Sequence, residues 1–181
     1  MPVYARRCYL NTSRKYGKKV YMMESLITIK SVTILFFVIV VVMAVLAYRP
    51  RRNKRKIKAL SRSVIEMTPE EFFWVRNYKV ENGKNLASTY EFEGVYILYN
   101  ETKNMYYVGQ GQKVMFRINQ HFTGHGNGDV YADYKYGDSF KIRAIRLRKS
   151  GFATLNSLEK HTIETYEAFS QGYNKTRGNN G

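Results

Sequence analysis

Six side chains of the kinds that handle anions and protons fall in the C-terminal half at fixed offsets: Tyr96, Tyr107, Arg117, His121, Glu159 and Asn174. A guanidinium meets anionic oxygens as a planar fork of donors. A carboxylate holds a hard cation, and phenol and imidazole accept or give protons. Each residue alone has a plain alternative: tyrosines on neighbouring strands are more often packing, and a helix histidine is often without a task. The set acquires meaning only if the local sequence brings its members together.

Gly94-Val95-Tyr96-Ile97-Leu98-Tyr99 and Met105-Tyr106-Tyr107-Val108-Gly109 are rich in β-branched and aromatic residues and read as strands. The polar stretch 100–104 between them contains two Asn residues that tolerate left-handed backbone, so the strands pair antiparallel and bring Tyr96 near Tyr107. In residues 113–122, Val114, Ile118 and Phe122 recur at helical spacing, which places Arg117 and His121 on one helical face. Residues 155–169 form a second apolar helical stripe with Glu159 beside it.

Gly-Val-Tyr, ten residues, Tyr-Val-Gly, then Arg117 and His121, a later Glu159 and a final Gly172-Tyr173-Asn174 resemble the GIY-YIG endonucleases over residues 94–181. Val95 and Val108 stand where the two tripeptides carry Ile, and both keep the β-branch. The resemblance implies an α/β (α+β) fold with a small three-stranded antiparallel sheet flanked by helices, and an enzyme that cuts DNA phosphodiesters with Mg²⁺ or Mn²⁺. By that analogy Glu159 holds the metal with most of its shell left to water and phosphate. Arg117 meets the growing charge, and Tyr96 acts as base or water-positioner with Tyr107 beside it. His121 lies near the phosphate, and Asn174 orients phosphate or closes the site. Many relatives attach a separate domain for sequence choice, whereas seven residues follow Asn174 here. The expectation is low intrinsic sequence specificity, or guidance by a partner protein.

His125 and His161 carry weaker signals. The stretch Gly124-His125-Gly126-Asn127-Gly128-Asp129 has one His and one Asp four apart, which is no ligand set, and reads as a flexible loop that touches DNA at most.

Towards the N-terminus the character of the chain changes. Residues 1–30 are basic, with no periodic pattern and no expected packed structure; Met22 and Met23 offer an alternative start. Residues 31–48 hold no charge and read as a single transmembrane helix preceding the fold. A cleaved signal peptide ending at Ala47 is the competing reading, disfavoured by the length of the apolar run. Residues 49–62 then carry eight cations and no acid, which by the positive-inside rule holds the C-terminal domain in the cytoplasm. Within residues 49–67, Ile57, Leu60, Val64 and Met67 give an apolar face suited to the bilayer surface, beside cations suited to anionic lipid.

Residues 1–62 contain 15 of the 30 Lys and Arg and one of the 14 acids, so the net charge of +16 belongs mainly to the anchor. A basic chain would otherwise suggest nucleic acid by charge alone. In the remainder, Lys141, Arg143, Arg146, Arg148 and Lys149 cluster on and after a strand at 140–147, as a sheet edge that tracks DNA or as a solvated face. Thr68-Pro69-Glu70-Glu71 starts a helix, and residues 68–93 pack against the core as helix and linker. Cys8 is the only cysteine, so no disulfide forms within the chain. Two other classes stay in view: a non-catalytic membrane-tethered module binding nucleic acid or protein, and a secreted nuclease beginning at Tyr48.

Overall fold

The structure is a computed structural model that describes residues 3–80 and 83–178, with side chains from Lys30 onward. Two compact units divide the chain at Pro50, Met1–Pro50 and Arg51–Gly181. The first unit is helical: α1 (Val3–Ser63) begins in it, so the basic segment read above as without packed structure has helical backbone from Val3. The apolar side chains between Val32 and Tyr48 are exposed, 46–70 % for those that are large. From Lys30 this helix is long and apolar enough to cross a membrane.

In the second unit, β1 (Glu66–Met67), β2 (Gly94–Asn100), β3 (Met105–Gly111) and β4 (Phe140–Arg146) form one antiparallel sheet in the order β1-β4-β2-β3. Helices α2 (Pro69–Asn77), α3 (Leu86–Thr89), α4 (Val114–Phe122), α5 (Gly128–Lys135) and α6 (Leu155–Tyr166) complete it. The sheet thus has four strands among the described residues, not three. The added one is β1, whose two residues pair with Arg143 and Ile142. Two residues show no alternation, and only the partner strand makes them a strand.

Alternation along β2 sorts the core into two layers. Tyr96 and Leu98 pack with Phe72, Val114, Ile118 and Phe122 from α2 and α4. Val95 and Ile97 pack on the other face with Val108, Ile145, Leu158 and Ile163. The second layer includes Ile57, which is fully buried, with Leu60 and Val64 packed against it. The apolar face of the basic segment is therefore covered by protein and not by a bilayer. Met67 packs in the opposite layer. Burying a side chain such as Ile57 stabilises by about 1.5–3 kcal/mol.

Polar contacts reinforce this seam: Asn53 Nδ2 lies 3.1 Å from His161 Nε2, Lys56 donates to the Gly151 carbonyl, and Lys54 faces Glu167 at 3.9 Å. His161 therefore belongs to a latch between α1 and α6. The strand at 140–147 is interior, between β1 and β2, and not an edge. Arg143 pairs with Glu66, and the Arg146 guanidinium sits 4.0 Å from the centre of the Phe92 ring.

Local chemistry fixes the helix ends. Thr68 and Glu71 cap α2 reciprocally, Thr68 Oγ1 accepting from Glu71 N–H and Glu71 Oε2 accepting from Thr68 N–H. Glu167, with φ 55°, stops α6 short of the expected residue 169.

Candidate active site

β3 is the edge of the sheet on the side away from β1, and the six singled-out residues gather around it from both layers. In the β2–β3 register Tyr96 stands opposite Gly109, and Leu98 opposite Tyr107. Tyr96 and Tyr107 are therefore diagonal neighbours on one face, with ring centroids 6.2 Å apart. Gly109 makes this possible: a Cβ there would lie 2.3 Å from the Tyr96 hydroxyl oxygen and 2.5 Å from Cζ. The second tripeptide ends in glycine because the tyrosine of the first occupies that space.

Helix α4 adds His121 above the pair, its ring 5.4 Å from that of Tyr96 and 4.7 Å from that of Tyr107. His121 Nε2 is 2.9 Å from the Tyr96 hydroxyl, and His121 Nδ1 accepts the Asn127 backbone N–H at 2.9 Å. An imidazole whose Nδ1 accepts from an amide carries its proton on Nε2. His121 therefore donates to Tyr96 Oη, and a directed chain runs from the Asn127 amide through His121 to the Tyr96 hydroxyl.

The surroundings set the protonation states. Burial, and then the nearby Arg117 charge, lower the His121 pKa from 6.5 to about 4, so the ring is neutral at pH 7. Burial, and then Tyr107, push the Tyr96 phenol well above its ordinary range, opposed by the charge of Arg117 and a hydrogen bond from it. Burial also raises Tyr107, opposed by a hydrogen bond from Tyr96 and by Arg117; Glu159 adds to the rise. Tyr96 is 1 % exposed, whereas Tyr107 is half-buried and Arg117 exposed. Water reaches Tyr107, and Tyr96 stands behind it.

Glu159 approaches from α6, in the other layer, and is 8 % exposed. One turn earlier on the same helix face, Asn156 accepts from Gln110 Nε2 at 2.9 Å, while the buried Gln110 Oε1 has no donor. Among the described residues no cluster of three or more His, Cys, Asp or Glu exists that could cage a metal. A single carboxylate suits a hard cation that keeps most of its water, and does not suit a zinc or calcium cage.

The Asn174 side-chain amide is bound to β3. Its Nδ2 donates to Val108 O at 2.7 Å, and its Oδ1 accepts Val108 N–H at 2.8 Å. The side-chain amide takes the place of a neighbouring strand on the edge residue between Tyr107 and Gly109. Beside it, Tyr173 donates to Asp133 at 2.6 Å, and the fully buried Asn100 donates to Tyr173 and Asp138 at 2.7 Å each. These partners are 38 and more residues apart in sequence, so no local pattern announced them.

The loop 124–129 has a structural task. Asn127 caps α5 by accepting from Asp129 and Val130 N–H, and its own N–H fixes His121. A Cβ on Gly126 would lie 2.5 Å from His121 Nδ1. Asn-Gly-Asp before a helix is an N-cap signature that could have identified this role. His125 is exposed and outside the cluster.

The antiparallel sheet edge thus carries a buried phenol–imidazole chain, an exposed guanidinium and a buried carboxylate. Residues 92–174 match the family model of the GIY-YIG catalytic domain, and the match supports a nuclease function with DNA as substrate. No curated protein and no solved structure matches the chain.

Proposed function

We propose that the protein is a membrane-anchored endonuclease that hydrolyses DNA phosphodiester bonds with a divalent metal and low intrinsic sequence specificity. The observation that carries this reading is the directed chain ending on the Tyr96 hydroxyl, with the more accessible Tyr107 ring 6.2 Å away on the same sheet face and the exposed Arg117 on α4.

Arg117 binds the non-bridging oxygens of the scissile phosphate, where its fork matches charge that grows in the transition state. Tyr107 takes the place at the attacking water that the sequence suggested for Tyr96, because only Tyr107 is accessible. Its oxygen accepts a hydrogen bond from the water and orients it. Tyr96, held by His121, stabilises negative charge on that oxygen without leaving its buried position. Asn174 keeps β3 in register for both. Mg²⁺ or Mn²⁺, held by Glu159 with water, would supply polarisation of the phosphate and stabilisation of the leaving oxygen.

The uncharged run 31–48 followed by eight cations supports a single pass with the catalytic domain cytoplasmic. Arg51, Arg52, Arg55 and Lys58 are exposed and available to anionic headgroups. The test is nicking of supercoiled plasmid by the full-length chain in detergent, with Mg²⁺ or Mn²⁺ and with EDTA. Metal-dependent nicking supports the assignment; a folded chain that leaves both plasmid and single-stranded oligonucleotide intact with either metal overturns it.

A further inference from the structure

Residues 68–91 precede the matched domain and carry features that the nuclease site does not use. Four large aromatic side chains here and on the adjoining α4 are exposed: Trp74 68 %, Tyr78 54 %, Tyr90 58 % and Phe116 49 %. Hydrogen bonds connect the segments that carry them, the last step running through the Glu91 side chain. The Trp74 and Tyr78 rings lie 5.7 Å apart at the end of α2, and the Tyr78 carbonyl accepts the N–H of Leu86, the first residue of α3, at 2.8 Å. One turn later Tyr90 closes α3 by donating its N–H to Leu86 O at 3.0 Å. The next residue, Glu91, accepts from the N–H of Met115 and of Phe116 at 3.0 and 2.8 Å, which fixes Tyr90 beside the start of α4. Arg117 follows Phe116 in the chain.

Four exposed large aromatic side chains on connected segments, two of them in ring contact, suit an interaction surface. Its electrostatics favour an anion. Glu71 and Glu91 are both committed to backbone amides at helix starts, while Lys113 and Arg117 are exposed at the α4 end. A flat-ringed polyanion that must reach Arg117 fits this path: rings stack on bases whatever the sequence, and cations track the backbone. A bilayer would also accept Trp and Tyr, but it has no reason to follow a path that ends on the guanidinium of a phosphodiester site.

We propose that Trp74, Tyr78, Tyr90 and Phe116 form a stacking platform for unpaired bases, so that the substrate carries a single-stranded stretch beside the phosphate presented to Arg117. This rests on the nuclease reading, and it supplies within the chain a selection by substrate structure where selection by sequence is weak.

Trp74 is the only tryptophan, so its emission reports the platform directly. The full-length chain in detergent, without metal, is titrated with oligo(dT) and with a fully paired duplex of equal length. Saturable quenching by oligo(dT) and weaker quenching by duplex is the expected result. Affinity for labelled oligo(dT), read by anisotropy, should fall at least about fivefold in Trp74→Ala and in Tyr90→Ala, and be retained in Trp74→Phe and Tyr90→Phe. Unchanged emission, or wild-type affinity in both alanine variants, overturns the proposal. So does a blue shift on transfer to nanodiscs without quenching by oligo(dT), which assigns the rings to lipid. Plasmid nicking without quenching leaves the nuclease reading standing and removes the platform. Quenching by a chain that cuts neither plasmid nor oligonucleotide does the reverse.

Discussion

Gly109→Ala probes the site through a single added methyl. The new Cβ would meet the Tyr96 hydroxyl oxygen at 2.3 Å and Cζ at 2.5 Å, roughly 1 Å inside ordinary contact. Tyr96 cannot retreat freely, because it is 1 % exposed and packed among Val114, Ile118 and Phe122. Overpacking a core position costs about 1–3 kcal/mol. Displacing the hydroxyl also breaks the 2.9 Å contact with His121 and leaves a buried group unpaired, a further cost of about 1–3 kcal/mol. The expected loss is about 2–6 kcal/mol of unfolding free energy for the Arg51–Gly181 unit, with loss of nicking even where the variant remains folded. The assay is urea unfolding of the full-length chain in detergent followed by Trp74 emission, beside Gly128→Ala, where an added Cβ meets nothing within 4 Å and the change should be neutral or stabilising. A Gly109→Ala chain within about 0.5 kcal/mol of wild type and fully active would refute the packing argument.

Four further outcomes follow from the same structure. Ile57→Ala should cost about 2–5 kcal/mol in the same unfolding assay, and a chain begun at residue 63 should unfold at lower urea than one begun at residue 51, because the α1 seam is part of the core. Asn174→Ala should cost about 1–3 kcal/mol by exposing both Val108 backbone groups, and Asn174→Asp, which keeps only the acceptor, should fall between it and wild type. His121 binds its proton at about pH 4 when folded and near 6.5 when unfolded, so the unfolded chain holds more protons between these values. Its contribution is present above about pH 6.5 and is lost as pH falls towards 4, a change on the order of 3 kcal/mol that His121→Phe should abolish in unfolding measured from pH 7.5 to 4.5. Tyr107→Phe should lower kcat with little change in KM, since the phenol acts on the attacking water and not on binding.

What the sequence disclosed follows from where the information sits. The β2–β3 hairpin, α4 with its paired Arg117 and His121, and the Thr68 cap depend on neighbours within 17 residues, and their patterns are local. β1 was hidden because two residues carry no periodicity and become a strand only against β4, about 75 residues later. The face of Ile57, Leu60 and Val64 reads equally well as bilayer-facing or core-facing; Ile145, Leu158 and Ile163, which decide it, lie near the other end of the chain. The order of the two tyrosines was unreadable for a different reason. Alternation puts Tyr96 and Tyr107 on one face, but burial depends on strand order, and β2 is interior while β3 is the edge. Asn174 carried the right residue type for a phosphate contact, and its engagement with Val108 appears only when the chain returns to the sheet.

The central claim is that Glu159 and Arg117 act on one phosphodiester at the β3 edge. Its most direct test is the initial rate of plasmid nicking by full-length wild type, Glu159→Ala and Arg117→Ala under saturating Mg²⁺, with each variant shown to be folded. Loss of the metal-holding carboxylate or the charge-meeting fork should each lower the rate on the order of 10²-fold or more. Nicking that survives Glu159→Ala at the wild-type rate would contradict the account, because the chemistry would then lie elsewhere in the chain.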